Sequence, residues 1–420
     1  MSESDQVLRI AFLIYRGNPR CGGQGVYTRH LTSELVKLGH QVEVFSGPPY
    51  PDLDPAVKFT PVPSLELYRD PDPFRRPKIS EFKDRYDLLE YAIMATAGFP
   101  EPRTFSLRVR KMLSKRLGEF DIVHDNQCLG PGLLGIVQDG FPLIATIHHP
   151  ITVDRELDIS HATTWRRKLS LRRWYGFLGM QKRVASKVQR VITVSQSSRN
   201  DVSKQLGVDI EKINVVPVGV DHTVFRPMPN IERVPGRLMT TASADVPMKG
   251  LVPLLEALAK IRTERHAELV IVGKLRPESK IPELLDRLNL KDAVTFLHGL
   301  SDQDIVDLYA QAEVAVVPSL YEGFSLPAIE AMACGVPLVT TTGGALPEVV
   351  GKDGESALLV TPNDPSALSH AIIELLESPE LRARLGAAGR KRVLGRYTWQ
   401  VTAKGTAEQY IELLKEYRGS

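Results

Sequence analysis

Between Ser319 and Gly351 the chain reads SLYEGFSLPAIEAMACGVPLVTTTGGALPEVVG, and the first two of its three glutamates, Glu322 and Glu330, stand with seven residues between them. Glu322 falls in a glycine-containing loop after the apolar run VAVVPS. Glu330 follows Pro327, a residue suited to a first helical turn because its missing N–H has no partner there. This reading sets Glu330 in the first turn of a helix that ends at Gly335. At the carboxyl end of a parallel strand, the amides and dipole of a helix N-terminus favour phosphate. A carboxylate on each side of such a turn can accept paired hydroxyls from two sugars, so the spacing fits a sugar–diphosphate–ribose molecule. Taken alone, the pair is better explained as a helix-stabilising residue and a solvated loop residue. The run GGQG, with Gly22 and Gly23, sits between a strand and a helix, where glycine lets backbone approach a ligand closely. It is neither a Walker A loop nor G-x-G-x-x-G, and a simple strand–helix turn explains it as well. Asp52-Leu53-Asp54 and Asp70-Pro71-Asp72 lie among prolines in loops, so turn chemistry accounts for them and no metal site is expected.

The elements that must hold these residues follow from the patterning of 420 residues, a length typical of two domains. With 43% apolar and 25% charged residues the composition is that of a globular protein. No apolar run approaches the ~18–20 residues a bilayer span requires. The start MSESDQVLRIAFLIY reads as a first strand, without a cleavage-site pattern. Cys21, Cys128 and Cys334 are too few and too scattered for disulfides or zinc, which points to the cytoplasm. A net charge of +3 gives no reason to expect nucleic acid. Short β-branched runs alternate with amphipathic stretches in two series: RIAFLIY, QVEVFSG, FDIVHD, PLIATIHH, RVITVS and INVVPVG, then RLMTTAS, ELVIVGK, AVTFLHG, VAVVPS, PLVTTT and ALLVTP. Near-continuous apolar strands with intervening helices predict parallel sheets covered on both faces. The expectation is an α/β chain of two Rossmann-like, doubly wound domains. We assign residues 1–215 to the first domain, with an insertion at about 64–102 that is helical over 84–97. The proline-rich segment 216–236 is the linker, 237–395 the second domain and 396–420 a closing helix.

The run PSLYEGFSLPAIEAMACGVPLVTT strongly resembles the signature of glycosyltransferase family 4, a group of retaining transferases with the GT-B fold. The resemblance extends over nearly the whole chain, through CGGQGVYTRHLTSELVKLGHQVEVFSG, VITVSQSSRNDV, INVVPVGVDHTVFRP and VTFLHGLSDQDIVDLYAQAEVAVVPS in the expected order. It implies a second domain that binds the nucleotide-sugar and a C-terminal helix that packs back on the first domain. It implies that Glu330 holds the ribose of a nucleotide and Glu322 the donor sugar. Gly323, Phe324, Ser325 and Leu326 would line sugar and phosphate, and Lys249 would neutralise the departing diphosphate. His148 would contact the sugar near the reacting carbon, or His149 if the register is shifted by one, and Gly22 and Gly23 would face the ligand. Asp125 and Asn126 are candidates for acceptor contact. Many members carry an arginine five positions before the lysine; here that position is Ala244, and Lys274 is the candidate replacement.

The implied reaction is transfer of a hexose-type sugar from a UDP- or GDP-linked donor, with retention, to a hydroxyl of a sugar, sugar-phosphate or lipid-linked acceptor. No tightly bound cofactor is expected; Mg2+ can accompany the diphosphate but is not required. Residues 165–175, WRRKLSLRRWY, carry five basic residues between aromatics, which suits an anionic surface such as the inner face of the cell membrane, a phosphorylated acceptor or a solvated rim. Phe177, Met180, Val184 and Val188 have core-type helical spacing. A GT-B-fold epimerase, a phosphorylase and a non-catalytic scaffold are the alternatives.

Overall fold

The computed structural model describes residues 6–18, 23–69, 72–162, 164–242, 246–276 and 279–419. Cys21, Gly22, Ala244 and the first two residues of Asp70-Pro71-Asp72 lie outside the described residues.

The chain forms two compact units: Met1–Val194 with Ser198–Val216 and Thr402–Ser420, and Pro217–Val401 with Ser195–Ser197. The first contains a seven-stranded parallel sheet of β1 (Arg9–Ile14), β2 (Gln41–Ser46), β3 (Lys58–Pro61), β4 (Ile122–Asn126), β5 (Leu143–Thr146), β6 (Arg190–Thr193) and β7 (Ile213–Val215). Their order is β3-β2-β1-β4-β5-β6-β7. The second contains β8 (Arg237–Thr241), β9 (Glu268–Val272), β10 (Val294–Leu297), β11 (Val314–Val317), β12 (Leu338–Thr341) and β13 (Leu358–Val360). These run parallel in the order β10-β9-β8-β11-β12-β13. In each sheet the order reverses beside the first strand, and that reversal opens a crevice at the carboxyl ends.

Burial explains why the apolar runs became strands. Every residue of β4, β5, β11 and β12 is buried, the signature of strands covered on both faces. All twelve anticipated strands are present. The additional one, β3, reads KFTP and is largely exposed at an edge, so it lacks the apolar run that marks the others. In the first unit Leu13, Val123, Leu143 and Val191 share one core; in the second, Leu254, Leu258, Val316 and Ile372 share another. Of the stripe expected at 177–188, Val184 and Val188 join the core, while Phe177 and Met180 are half-buried. Leu178 and Gln181 take their places in the helix Leu178–Ala185.

The helix Trp399–Gly419 lies against the first unit over its later turns. Tyr410 Oη is 2.5 Å from His124 Nδ1, and Arg190 meets Glu412 at 2.6 Å. Within the segment 64–102, Asp84 caps the helix Arg85–Ala95 by accepting from the Tyr86 and Asp87 amides. Arg108, on the helix Glu101–Leu113, donates to Glu90 and Asp87 at 2.6 Å each, and Glu90 also accepts from the Leu65 amide. Arg108 and Glu90 are only 5% and 1% exposed. Removing one partner of such a group strands buried charge, so Arg108→Met should lower unfolding stability by about 3–5 kcal/mol in urea titration. A loss below about 1 kcal/mol would mean that the insertion is held by its apolar contacts instead.

Candidate functional site

In the second unit, three loops meet at the carboxyl ends of β8, β11 and β12. After β8 the chain makes a short turn, Pro247–Lys249, and enters the helix Leu251–Ile261 through Gly250 at φ 69°. A Cβ on Gly250 would overlap the Pro318 carbonyl, so the lysine loop packs against the end of β11 only because residue 250 is glycine. The Leu320 amide donates to the Met248 carbonyl at 2.7 Å, and the Ala345 amide donates to the Glu322 carbonyl at 2.8 Å. These bonds bring Lys249 to Glu322: Nζ donates to Oε1 at 2.7 Å, and Ser319 Oγ donates to the same oxygen at 2.7 Å. Both donors converge on one oxygen of a carboxylate whose side chain is 11% exposed.

The loop continues through Gly323 and Phe324 to Ser325, whose φ of 111° is strained for a residue with a side chain. Ser325 caps the helix Leu326–Ala333 by accepting from the Ala328 amide at 3.4 Å, with Pro327 in the first turn as anticipated. Glu330 does not lie in that first turn. It is the fifth residue of the helix and therefore in its second turn, because the helix begins only after the strained serine. Its carboxyl is half-buried, and burial, reinforced by Asp302, raises its pKa to about 7. Tyr309 lies beside it, 1% exposed, its hydroxyl donating to the Pro327 carbonyl at 3.3 Å. Lys274 stands exposed after β9, next in the sheet to β8.

The first unit presents a polar cluster at the ends of β4 and β5. Asn126 Nδ2 donates to Thr28 Oγ1 at 3.1 Å and to the Gln24 carbonyl at 3.3 Å, which fixes its amide orientation. Its Oδ1 therefore faces His148 Nε2 at 2.8 Å and must accept from it. That assigns the Nε2–H tautomer to His148 and leaves Nδ1 as the ring's acceptor. Burial, with His149 adding repulsion, lowers the His148 pKa to about 3, so the ring is neutral throughout the physiological range. Tyr27 meets it edge-on, with ring centres 4.7 Å apart. Gln127, at φ 54°, clamps the following loop: its Oε1 accepts from the His148 amide and its Nε2 donates to the His149 carbonyl, each at 2.7 Å. Asp125 accepts from the Leu129 amide at 3.0 Å and is held by burial near pKa 7.

Lys249, Glu322 and the 323–326 turn are thus gathered in one unit, with Glu330 on the same helix. His148, His149, Asp125 and Asn126 are gathered in the other. Gly23 opens the helix Gly23–Lys37, and a Cβ there would meet nothing within 4 Å. The close approach falls instead on Gly25, where a Cβ would overlap the Asn18 carbonyl. Asp54 accepts from Ser33 and the Ala56 amide, a turn arrangement. Of residues 165–175, the helix Trp165–Trp174 exposes Trp165 and Leu169 at 70% and 58%, while Arg173 donates to Thr96 at 2.9 Å. Sequence reading missed Gln127, Ser319 and Tyr309, whose partners are distant in the chain or set by backbone geometry. Among the described residues no helix is long and apolar enough to cross a membrane.

Residues 231–392 match the family model Glycosyl transferases group 1, and residues 21–224 match Glycosyltransferase Family 4. The "MMP alpha-(1->4)-mannosyltransferase" of Mycolicibacterium hassiacum is 54% identical over 96% of this chain and 98% of its own length. A D-inositol 3-phosphate glycosyltransferase of Streptomyces coelicolor is 26% identical over 96% and 89%. Among solved structures, sucrose-phosphate synthase from Thermosynechococcus elongatus aligns with a TM-score of 0.72 at 23% identity, covering 97% of this chain and 100% of that one. HepE from Anabaena, in complex with UDP-glucose, aligns at 0.65 and 18%, covering 96% and 99%. The fold shared with these structures is GT-B.

Proposed function

This chain belongs to glycosyltransferase family 4, and we propose that it moves mannose from a nucleoside-diphosphate mannose to the 4-hydroxyl of a carbohydrate acceptor, forming an α-(1→4) bond. That it is a glycosyltransferase follows from its family; the sugar and linkage rest on the 54% identical relative. The geometry that supports transfer best is the Lys249–Glu322 pair at the strand ends, beside a helix N-terminus. In this reading the turn 323–326 and Lys249 take the diphosphate, Glu322 offers its second oxygen to the sugar, and Glu330 accepts the ribose hydroxyls.

The acceptor oxygen bonds to C1 as the bond from C1 to the diphosphate oxygen breaks, and the acceptor proton passes to the departing phosphate. Attack and departure on the same face retain the α configuration. His148, neutral and with a pKa near 3, is too weak a base to take that proton, which favours the phosphate as its recipient. Its Nδ1 is suited to accepting a sugar hydroxyl. Lys249 meets the negative charge that grows on the leaving group.

Incubation with GDP-mannose or UDP-mannose and an α-linked mannose acceptor, with Mg2+ or with a chelator, tests this reading. One donor should yield product with an α-(1→4) linkage by NMR, and chelation should leave the rate within about twofold. Isomerised nucleotide-sugar without acceptor would favour the epimerase; no turnover of either mannose donor would overturn the reading.

A further inference from the structure

The insertion at 64–102 has no part in the chemistry above, yet it carries a feature that packing alone does not explain. Phe74 is held at φ 64°, a conformation bulky side chains rarely adopt, with its amide N–H donating to the Leu67 carbonyl at 2.7 Å. Its ring is nevertheless 60% exposed, so the strain is not offset by burial. That ring begins a continuous row. Phe74 lies 5.4 Å from Tyr68 and 6.0 Å from Trp174, and both lie close to Phe99, at 5.5 and 5.1 Å. Phe99 in turn lies 6.4 Å from Tyr15, the residue directly after β1. Tyr15, Tyr68, Phe99 and Trp174 are all only half-buried. The row therefore runs from the carboxyl edge of the first unit's sheet, where β4 and β5 carry Asn126 and lead to His148, outward to an exposed end.

At its inner end the row meets a carboxyl oxygen that makes no hydrogen bond. Glu101 Oε2 is buried and makes no hydrogen bond, with Arg16 Nε 3.7 Å away. Glu101 and Tyr15 line one small cavity at the ends of β1, β2 and β3. Burial, partly opposed by Arg16 and reinforced by Glu90, raises the Glu101 pKa to about 8, so near neutrality it can donate and accept.

Resting on the mannosyl-transfer reading, we propose that the row from Tyr15 to Phe74 is the binding track for an oligosaccharide acceptor, with Glu101 as its hydroxyl-binding terminus. Aromatic faces cover the apolar faces of successive sugar rings, and the carboxyl oxygen that lacks a hydrogen bond takes hydroxyls at the end nearest the strand edge. The chemistry matches a carbohydrate chain because the row is aromatic along its length and ends at a carboxyl oxygen with hydrogen-bonding capacity to spare.

Phe74→Gly is the discriminating variant, since it removes the ring and also relieves the left-handed strain. Binding of a short α-(1→4)-linked mannose oligosaccharide, followed by tryptophan fluorescence without nucleotide, should weaken by about tenfold. The KM for that oligosaccharide should rise by a similar factor, with the donor-induced thermal shift unchanged and Tm not lowered. Trp165→Ala, on the helix that carries Trp174 but outside the row, is the control and should leave oligosaccharide binding as in the wild type. A Phe74→Gly protein with lowered Tm and unchanged oligosaccharide binding would make the row a packing core. Loss of binding to phosphatidylglycerol vesicles, with the oligosaccharide unaffected, would make it a membrane face. Either overturns the proposal. The fluorescence readout needs no turnover, so failure of the track is separable from failure of the transfer reading.

Discussion

Glu330→Ala should abolish the thermal stabilisation that a nucleoside-diphosphate mannose gives the wild type, and should weaken donor binding by about 100-fold or more. The carboxylate is expected to accept two ribose hydroxyls, and hydrogen bonds to a charged group contribute about 1.5–3 kcal/mol each. The pH dependence provides a second signature. The folded pKa of about 7 lies above the ordinary carboxylate value, so the folded protein keeps the proton that the unfolded chain releases. The resulting contribution to stability is fully present below the ordinary carboxylate range and is lost as pH rises through about 7. Donor affinity should run the other way, falling by up to tenfold per unit as pH drops below about 7 and the carboxylate is protonated. Glu330→Gln should flatten both curves: more stable than wild type without ligand at pH 8, yet poor in donor binding. A Gln variant that binds donor as the wild type does would remove Glu330 from the site.

Lys249→Ala should lower kcat by about 10²- to 10³-fold, the range seen when one group facing developing charge is removed. Donor dissociation constants should change less than kcat, because charge on the leaving oxygen is largest in the transition state. Lys249 is 34% exposed, so loss of its pair with Glu322 should cost little stability, about 1 kcal/mol or less. Tm and kcat are therefore expected to separate clearly in this variant. A kcat within about threefold of wild type would move the cationic role elsewhere, with Lys274 the next residue to substitute.

These two residues also differ in how legible they were. Glu322 stands in a loop between two apolar runs, so periodicity puts it at a strand end, whereas Lys249, before a glycine and an amphipathic helix, is singled out by the family resemblance. Their direct pairing was not readable, because it depends on Leu320 bonding Met248 and on the Gly250–Pro318 approach, across some 70 residues of chain. Glu330 was placed one turn too early because a serine at φ 111° delays the helix start, and no local composition rule anticipates a strained non-glycine residue there. In the first unit, Asn126 bonds His148 and Thr28, contacts made where two strands and a helix meet and so not legible from its place in the chain.

By itself the sequence determined the α/β class, twelve of the thirteen strands and the carboxyl-end location of Glu322 and His148. Each follows from alternation of buried runs and turn residues, which local patterning encodes. The tertiary structure alone decided the tautomer of His148, the convergence of Lys249 and Ser319 on one oxygen, and the aromatic row from Tyr15 to Phe74. Those properties belong to hydrogen-bond partners and ring contacts between segments far apart in the chain, and only the packed fold brings such segments within reach of one another.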